Sequence, residues 1–184
     1  MKIAQNVKNA VGRRMLRMES EPQRQRQGTN FHAAQRVALL YQDEDEPHFN
    51  KVKAFARFLK EEYGVKVVKA LGYIDQVDKR LPIWQTQKLE FEYFTKSDLN
   101  WHQRPIQKVK AFVEDDFDML IDLSNGDTLP LLFVMKTSHA KMKVGRKGSR
   151  SDRYSDFMIN VGANASMDEF IRQITVYLSN PKLK

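Results

Sequence analysis

The sequence predicts a three-layer α/β domain, Rossmann-like or flavodoxin-like, with a mainly parallel sheet and an amino-terminal helical extension. Short apolar runs, such as RVALLY at 36–41 and FDMLIDL at 117–123, have the length of strands buried on both faces. Between such runs lie longer segments whose apolar residues recur every three to four positions, the period of a helix resting on a core. Strands separated by helices need crossover connections, which make neighbouring strands parallel and cover both sheet faces. With 184 residues the chain has room for one domain of the usual roughly 100–150 residues and a short extension. The division falls at 1–30 for a basic amphipathic helix and its polar linker, and at 31–184 for the single domain.

Residues 2–18 read as a helix with Ile3, Val7, Ala10, Val11, Met15 and Met18 near one face. Lys2, Arg13 and Arg17 lie opposite, and Arg14 intrudes on the apolar stripe. Glu19 to Asn30, rich in Gln and holding Pro22 and Gly28, has no periodicity and reads as a linker. The first strand is Arg36–Tyr41. An acidic turn leads into a helix over Pro47–Tyr63, with Pro in its first turn, Phe49, Val52, Phe55, Ala56, Leu59 and Tyr63 on one face, and Gly64 as its stop. Val65–Leu71 and Leu89–Thr95 read as strands, Pro105–Glu114 as a helix and Phe117–Leu123 as the central strand. A helix from Leu129 to about Ala140, capped by Asp127 or Thr128, precedes a short strand at Lys141–Val144. Asp156–Val161 is the last strand. Ser166-Met167-Asp168-Glu169 is a capping box for a final helix that buries Phe170, Ile171, Ile174, Tyr177 and Leu178 and ends before Pro181. The loop between the last two strands is compatible with a parallel or an antiparallel edge.

The chain has no cysteine, which excludes disulfides, thiol catalysis and thiolate metal sites. No apolar run approaches the roughly 18 residues of a membrane span, and the amino terminus lacks the apolar core of a secretory signal. A cytoplasmic protein is expected, so the Asn164-Ala165-Ser166 sequon carries no meaning. Charge is more informative. Residues 1–30 carry +5 and residues 136–153 carry +6, while the rest of the chain sums to −3. A near-neutral body with two cationic segments points to a polyanionic partner, nucleic acid or an acidic protein surface, because attraction needs clustered charge.

The candidate polyanion-binding residues are Arg13, Arg14 and Arg17 on the first helix and Lys141, Lys143, Arg146, Lys147, Arg150 and Arg153 in the second segment. Gly145, Gly148 and Ser149 suggest a flexible loop there, and arginine forks match phosphate oxygens. The apolar stripe of the first helix packs on the domain or docks a partner; a membrane surface is the weaker option because the helix has no Trp or Phe. Trp101 and Trp84 either stack a base or pack in their loops. A dinucleotide site is excluded, because the turn after the first strand has Gln42-Asp43-Glu44-Asp45-Glu46 in place of phosphate-cradling glycines. Asp43 and Asp45, with Asp122 near the same sheet edge, form an alternative set for a hard cation such as Mg²⁺; the same acids also suit a helix amino terminus. No other cofactor is expected. His32, His48, His102 and His139 are scattered, and neither Ser124 nor Ser138 lies in a nucleophile elbow, so no catalytic residue is assigned.

FDMLIDL, SHAKMKVG (138–145), YSDFMI (154–159), QITVYL (173–178) and YFTKSDLN (93–100) together resemble a family of bacterial proteins of unknown function, over about residues 30–180. That resemblance implies no activity and no site residues. Residues 117–145 are also similar to part of the amino-terminal half of heptosyltransferase-type glycosyltransferases. The chain has no counterpart of the second domain with which those enzymes bind a sugar nucleotide, so this similarity implies fold and not chemistry. The expected function is a non-catalytic binding protein that contacts RNA or a ribonucleoprotein through its two basic segments. The alternatives are an Mg²⁺-dependent enzyme or ligand-binding domain at the carboxyl edge of the sheet, near Asp43, Asp45, Asp122 and Ser124, and a scaffold that binds other proteins.

Overall fold

The computed structural model describes residues 2–77, 82, 84, 90–162 and 164–181. Its strands are β1 (Arg36–Gln42), β2 (Val67–Ile74), β3 (Phe91–Thr95), β4 (Met119–Asp122), β5 (Met142–Arg146) and β6 (Phe157–Ile159). They form one sheet in the order β3-β2-β1-β4-β5-β6, and every neighbouring pair is parallel. This is the doubly wound Rossmann order. The edge that the sequence left open is parallel, with Val144 opposite Phe157 and Arg146 opposite Ile159. Leu89, the expected start of the third strand, lies outside the described residues.

The helices are α1 (Lys2–Met18), α2 (Glu46–Tyr63), α3 (Lys110–Glu114), α4 (Leu129–Thr137) and α5 (Met167–Leu178). One sheet face buries Val37, Leu39, Ile121 and Val144 against Phe49, Val52, Phe55 and Leu59 of α2 and Phe170, Ile174 and Leu178 of α5. The opposite face buries Ala38, Leu40, Leu120 and Phe94 against Phe112 of α3 and Leu131, Val134 and Met135 of α4. Consecutive strand residues therefore point into different cores, as a sheet covered on both sides requires.

Local chemistry sets the helix limits. Asp45 Oδ1 accepts the His48 amide (2.8 Å) at the start of α2, and Gly64, left-handed at φ 67°, closes its end by donating to the Lys60 and Leu59 carbonyls. Ser166 Oγ accepts the Glu169 amide at the start of α5 (3.2 Å), whereas the Glu169 carboxylate turns to Arg172 and Gln173, so the expected capping box forms only in part. The expected helix over Pro105–Glu114 is broken into a 3₁₀ turn, Gln107–Val109, and the five-residue α3. Pro105 bridges Leu99, and the Ile106 amide donates to the Asp98 carbonyl, which keeps the first residues in the preceding loop.

α1 adds a further layer outside α4. Leu16 is buried with Leu129, Leu132 and Phe133, and a Cβ on Gly12 would run into the His102 carbonyl oxygen and lie 2.7 Å from Leu129 Cδ2. α4 is thus covered on both sides, which explains why Leu129 to Met135 is apolar around the whole helix. Lys136 of α4, buried, donates to the Leu16 and Arg17 carbonyls (2.9 and 3.1 Å) and sits at the negative end of the α1 dipole. The linker is anchored as well. Arg24, its side chain 4% exposed, forks onto Asp156 (2.7 and 2.8 Å) and donates to the Ala140 and Lys141 carbonyls.

Candidate functional site

The strand order reverses between β1 and β4, and open α/β sheets present their ligand crevice at the carboxyl end of such a switch point. Two clefts open there. One, of about 460 Å³, is lined by Gln42, His48, Ser124, Asp127 and Ser166; the other, of about 400 Å³, by Arg13, Gln42, Lys96, Gln103 and Thr128. Gln42 and Thr128 stand between them, joined by a 2.5 Å hydrogen bond from the Thr128 hydroxyl.

The acids proposed for Mg²⁺ are spent separately. Asp45 caps α2 and lies 2.6 Å from His48 Nδ1, and these hydrogen bonds hold its carboxyl below the usual range. Asp43 is buried at the end of β1. Asp122 is buried on the opposite core face and accepts from the Ser124 amide (3.0 Å) and hydroxyl (2.6 Å). Burial pushes its pKa up, with Ser124, Ser151 and Arg146 pulling the other way. Among the described residues no three His, Asp or Glu side chains converge as a metal site. Asp122 instead orders a turn: Ser124 Oγ accepts the Gly126 amide, and the Gly126 carbonyl accepts the Ser151 amide (2.9 Å). That chain of bonds pins a 3₁₀ segment, Arg150–Tyr154, to the β4–α4 turn.

The second basic segment is accordingly not the flexible loop expected from its glycines, and its charges divide. Lys143 and Arg146 belong to β5 and are buried, so neither contributes to an exposed cationic surface. Lys143 Nζ donates to the Lys136 carbonyl (3.1 Å), and burial, aided by Arg24, pulls its pKa down to about 7. Arg146 donates to the Ser124, Ala165 and Ser166 carbonyls and lies over the Phe170 ring, 4.2 Å from its centroid. Lys141 is paired with Asp118 (2.9 Å) and Asp116 (3.7 Å). A strand running between two helix layers has no solvent side, and this turns Lys143 and Arg146 inward. Lys147 and Arg153 are exposed and make no ion pair among the described residues, and Arg150 is exposed beside Asp127 (3.4 Å).

On α1, Arg13, Arg14 and Arg17 are exposed and make no ion pair among the described residues. The apolar stripe does not face the domain. Gly12 and Leu16 make that contact, leaving Val7 (56%), Met15 (38%) and Met18 (69%) exposed beside the arginines. Side chains of residues 2–5, including the expected Lys2 and Ile3 positions, lie outside the described set.

Both basic segments meet at α4. α1 and the Arg150–Tyr154 segment pack against that helix, with Tyr154 set against the Leu16 cluster. Burial raises the Tyr154 pKa, and Arg153 and Arg17 both lie close enough to counter it. Asp127, paired with Arg150, also lines the cleft that Arg13 enters. Arg13 and Arg17 of the first basic segment and Arg150 and Arg153 of the second therefore border one surface. The all-apolar α4 was the signal in the sequence that something covers its outer side; Leu16, Lys136 and Tyr154, which build the junction, carry no such signal on their own.

Beside this surface runs the loop 99–105. Trp101 is 64% exposed, whereas Trp84 packs against the core of α2 and α5. His32, His48 and His102 are engaged with the Ser179 carbonyl, Asp45 and Asn100 respectively, and His139 is exposed. No helix among the described residues is long and apolar enough to cross a membrane.

The model of the Family of unknown function (DUF6913) matches residues 8–180, nearly the whole chain. The protein belongs to this family. The match begins within α1 and so takes in residues 8–18 of that helix as well as the domain. No curated protein matches the chain. Among solved structures, the E. coli heptosyltransferase WaaC with ADP aligns at 12% identity and a TM-score of 0.46, covering 80% of this chain and 48% of that one. The chain thus spans about half the length of that enzyme.

Proposed function

We propose that the protein is a non-catalytic binding protein that contacts the phosphate backbone of RNA, free or within a ribonucleoprotein, through α1 and the Arg150–Tyr154 segment. The packing of both basic segments on α4 carries the reading: Arg17 of one and Arg153 of the other both act on Tyr154, and Arg13, Arg14 and Lys147 are further exposed cations of the same two segments. Arginine forks bind phosphate oxygens without reading bases, so recognition of this kind is electrostatic and sequence-tolerant. Cytoplasmic RNA is the partner this reading implies.

Binding of a fluorescent RNA measured over a salt series tests it. Each phosphate neutralised on a single strand contributes roughly 0.7 to the slope of log affinity against log salt, so full use of these five cations gives about 3 to 4. Reversing Arg14, Arg17 and Arg153 to Glu is expected to flatten the slope and weaken binding. Binding that ignores salt, or ignores these reversals, sinks the proposal.

A second reading rests on the Rossmann strand order, which leaves the two clefts open at the switch point. It assigns the carboxyl edge to a small ligand, with or without Mg²⁺. A thermal-shift series with Mg²⁺ and nucleotides checks it: stabilisation that Ser124→Tyr abolishes supports the cleft, and an unchanged melting temperature removes it.

A further inference from the structure

Trp101 is the most solvent-exposed large aromatic side chain among the core and surface residues described, and the loop that carries it is built to hold it still. Asn100 Oδ1 accepts the amides of His102 (3.2 Å) and Arg104 (2.9 Å), and Asn100 Nδ2 meets His102 Nε2 at 2.9 Å. The backbone closes around the same residue, with the Asn100 amide donating to the Arg104 carbonyl and the Gln103 amide to the Asn100 carbonyl. Gln103 is held at φ 71°, a left-handed conformation that a residue with a Cβ rarely adopts. The base of the loop is clamped by the Leu99–Pro105 bridge and by a two-pronged ion pair from Arg104 to Glu19 (2.7 and 2.9 Å).

This loop lies directly on the basic helix. The His102 carbonyl oxygen fills the space that a side chain on Gly12 would need, and Gln103 lines the same cleft as Arg13. An exposed indole on a fixed loop that touches the arginine-bearing helix supplies the two parts of a single-strand platform, a cationic track for the backbone and a π-face for a base. Paired bases in a duplex have their faces covered by their neighbours, so only an unpaired base can use the indole.

We infer that Trp101 stacks an unpaired nucleobase, so that the RNA taken by the α1 surface is single-stranded at that point. The inference rests on the reading of α1 as an RNA-binding surface and deepens it by naming the form of the ligand. Because every base has a π-face, the contact selects strand form and not sequence. The ring stays exposed in the free protein at no cost in loop ordering, since the hydrogen bonds of Asn100 already fix the backbone.

The test compares a short unstructured RNA strand with the duplex it forms with its complement, using the full chain with Trp101 intact, Trp101→Phe and Trp101→Ala. Replacing an exposed side chain leaves the fold intact, which thermal unfolding of each variant checks. Trp101→Ala is expected to weaken the single strand roughly 5- to 150-fold, the usual range for loss of one stacked base, with Trp101→Phe intermediate and the duplex unchanged. Quenching of indole fluorescence by the single strand, absent in Trp101→Ala, gives an independent readout. Equal weakening of strand and duplex overturns the inference, and so does unchanged binding of both, which is the result expected if Trp101 serves a protein partner. Salt-sensitive binding that survives Trp101→Ala leaves the α1 reading standing while refuting this one; absence of RNA binding by every form removes both.

Discussion

Lys143→Met isolates the cost of an amine enclosed between two layers. Lys143 is 1% exposed, donates one hydrogen bond to the Lys136 carbonyl, and has its pKa drawn from 10.5 to about 7 by burial, with the charge of Arg24 adding to the effect. In the unfolded chain the amine binds its proton up to the ordinary lysine range; in the folded chain it releases it near neutrality. Between those values the unfolded state holds more protons, so stability rises with pH. Each pH unit across that window adds about 1.4 kcal/mol, and from about pH 6 to about pH 9 the gain amounts to roughly 2–3 kcal/mol. Met has a similar length and no charge, so Lys143→Met is expected to lose that slope. Urea unfolding at several pH values measures it, with the difference between wild type and variant cancelling every other titrating group. The variant should gain on the wild type at about pH 6, and the advantage should shrink or reverse at about pH 9, where the neutral amine keeps its hydrogen bond. Parallel stability curves would falsify the argument that Lys143 is forced neutral.

Two further outcomes follow from the packing of the amino-terminal segment. Gly12→Leu places carbon where the His102 carbonyl and Leu129 stand; it is expected to cost about 1–3 kcal/mol or to release α1 from α4, read as faster proteolysis within 19–30. Since the same change separates Arg13, Arg14 and Arg17 from Arg153, RNA affinity should fall although no cation has been removed. Arg24→Ala strips an enclosed guanidinium from Asp156 and two carbonyls, with an expected loss of about 3 kcal/mol at neutral pH. Burial raises the Asp156 pKa, and Arg24, the Lys143 amide and the charge of Arg26 together bring it below its ordinary value, so the part owed to Arg24 is present above the unfolded carboxylate pKa and disappears as pH falls through the folded one. A double-mutant cycle with Asp156→Ala measures the coupling, and strict additivity would contradict it.

The elements most legible in the sequence are those with local punctuation. α2 announces itself by Pro47, Gly64 and the spacing of Phe49 to Leu59; α5 by Ser166 and Phe170 to Leu178; β1 and β4 by short apolar runs with nowhere to hide a polar side. In each, the forces are capping bonds and periodic burial, which act within a few residues. Where long-range partners decide, the sequence misleads. Lys143 and Arg146 looked like loop cations although Ser124, Ala165 and the Lys136 carbonyl enclose them; at shorter range, Pro105 suggested a helix start but is held in a loop by its bridge to Leu99.

The amino acids by themselves determined that this chain folds as alternating strands and helices and that its positive charge is concentrated in two stretches, since both follow from periodicity and composition. Strand order, the parallel last edge and the side of α1 that meets the domain were decided only by the tertiary structure. Gly12 and Leu16, and not the stripe of Val7, Met15 and Met18, dock α1, because close approach to the His102 carbonyl and the apolar outer face of α4 outweighs the helix's own pattern. That choice brings Arg17 together with Arg153 around Tyr154 and lays α1 on the loop that carries Trp101, a neighbourhood made by contacts distant in sequence.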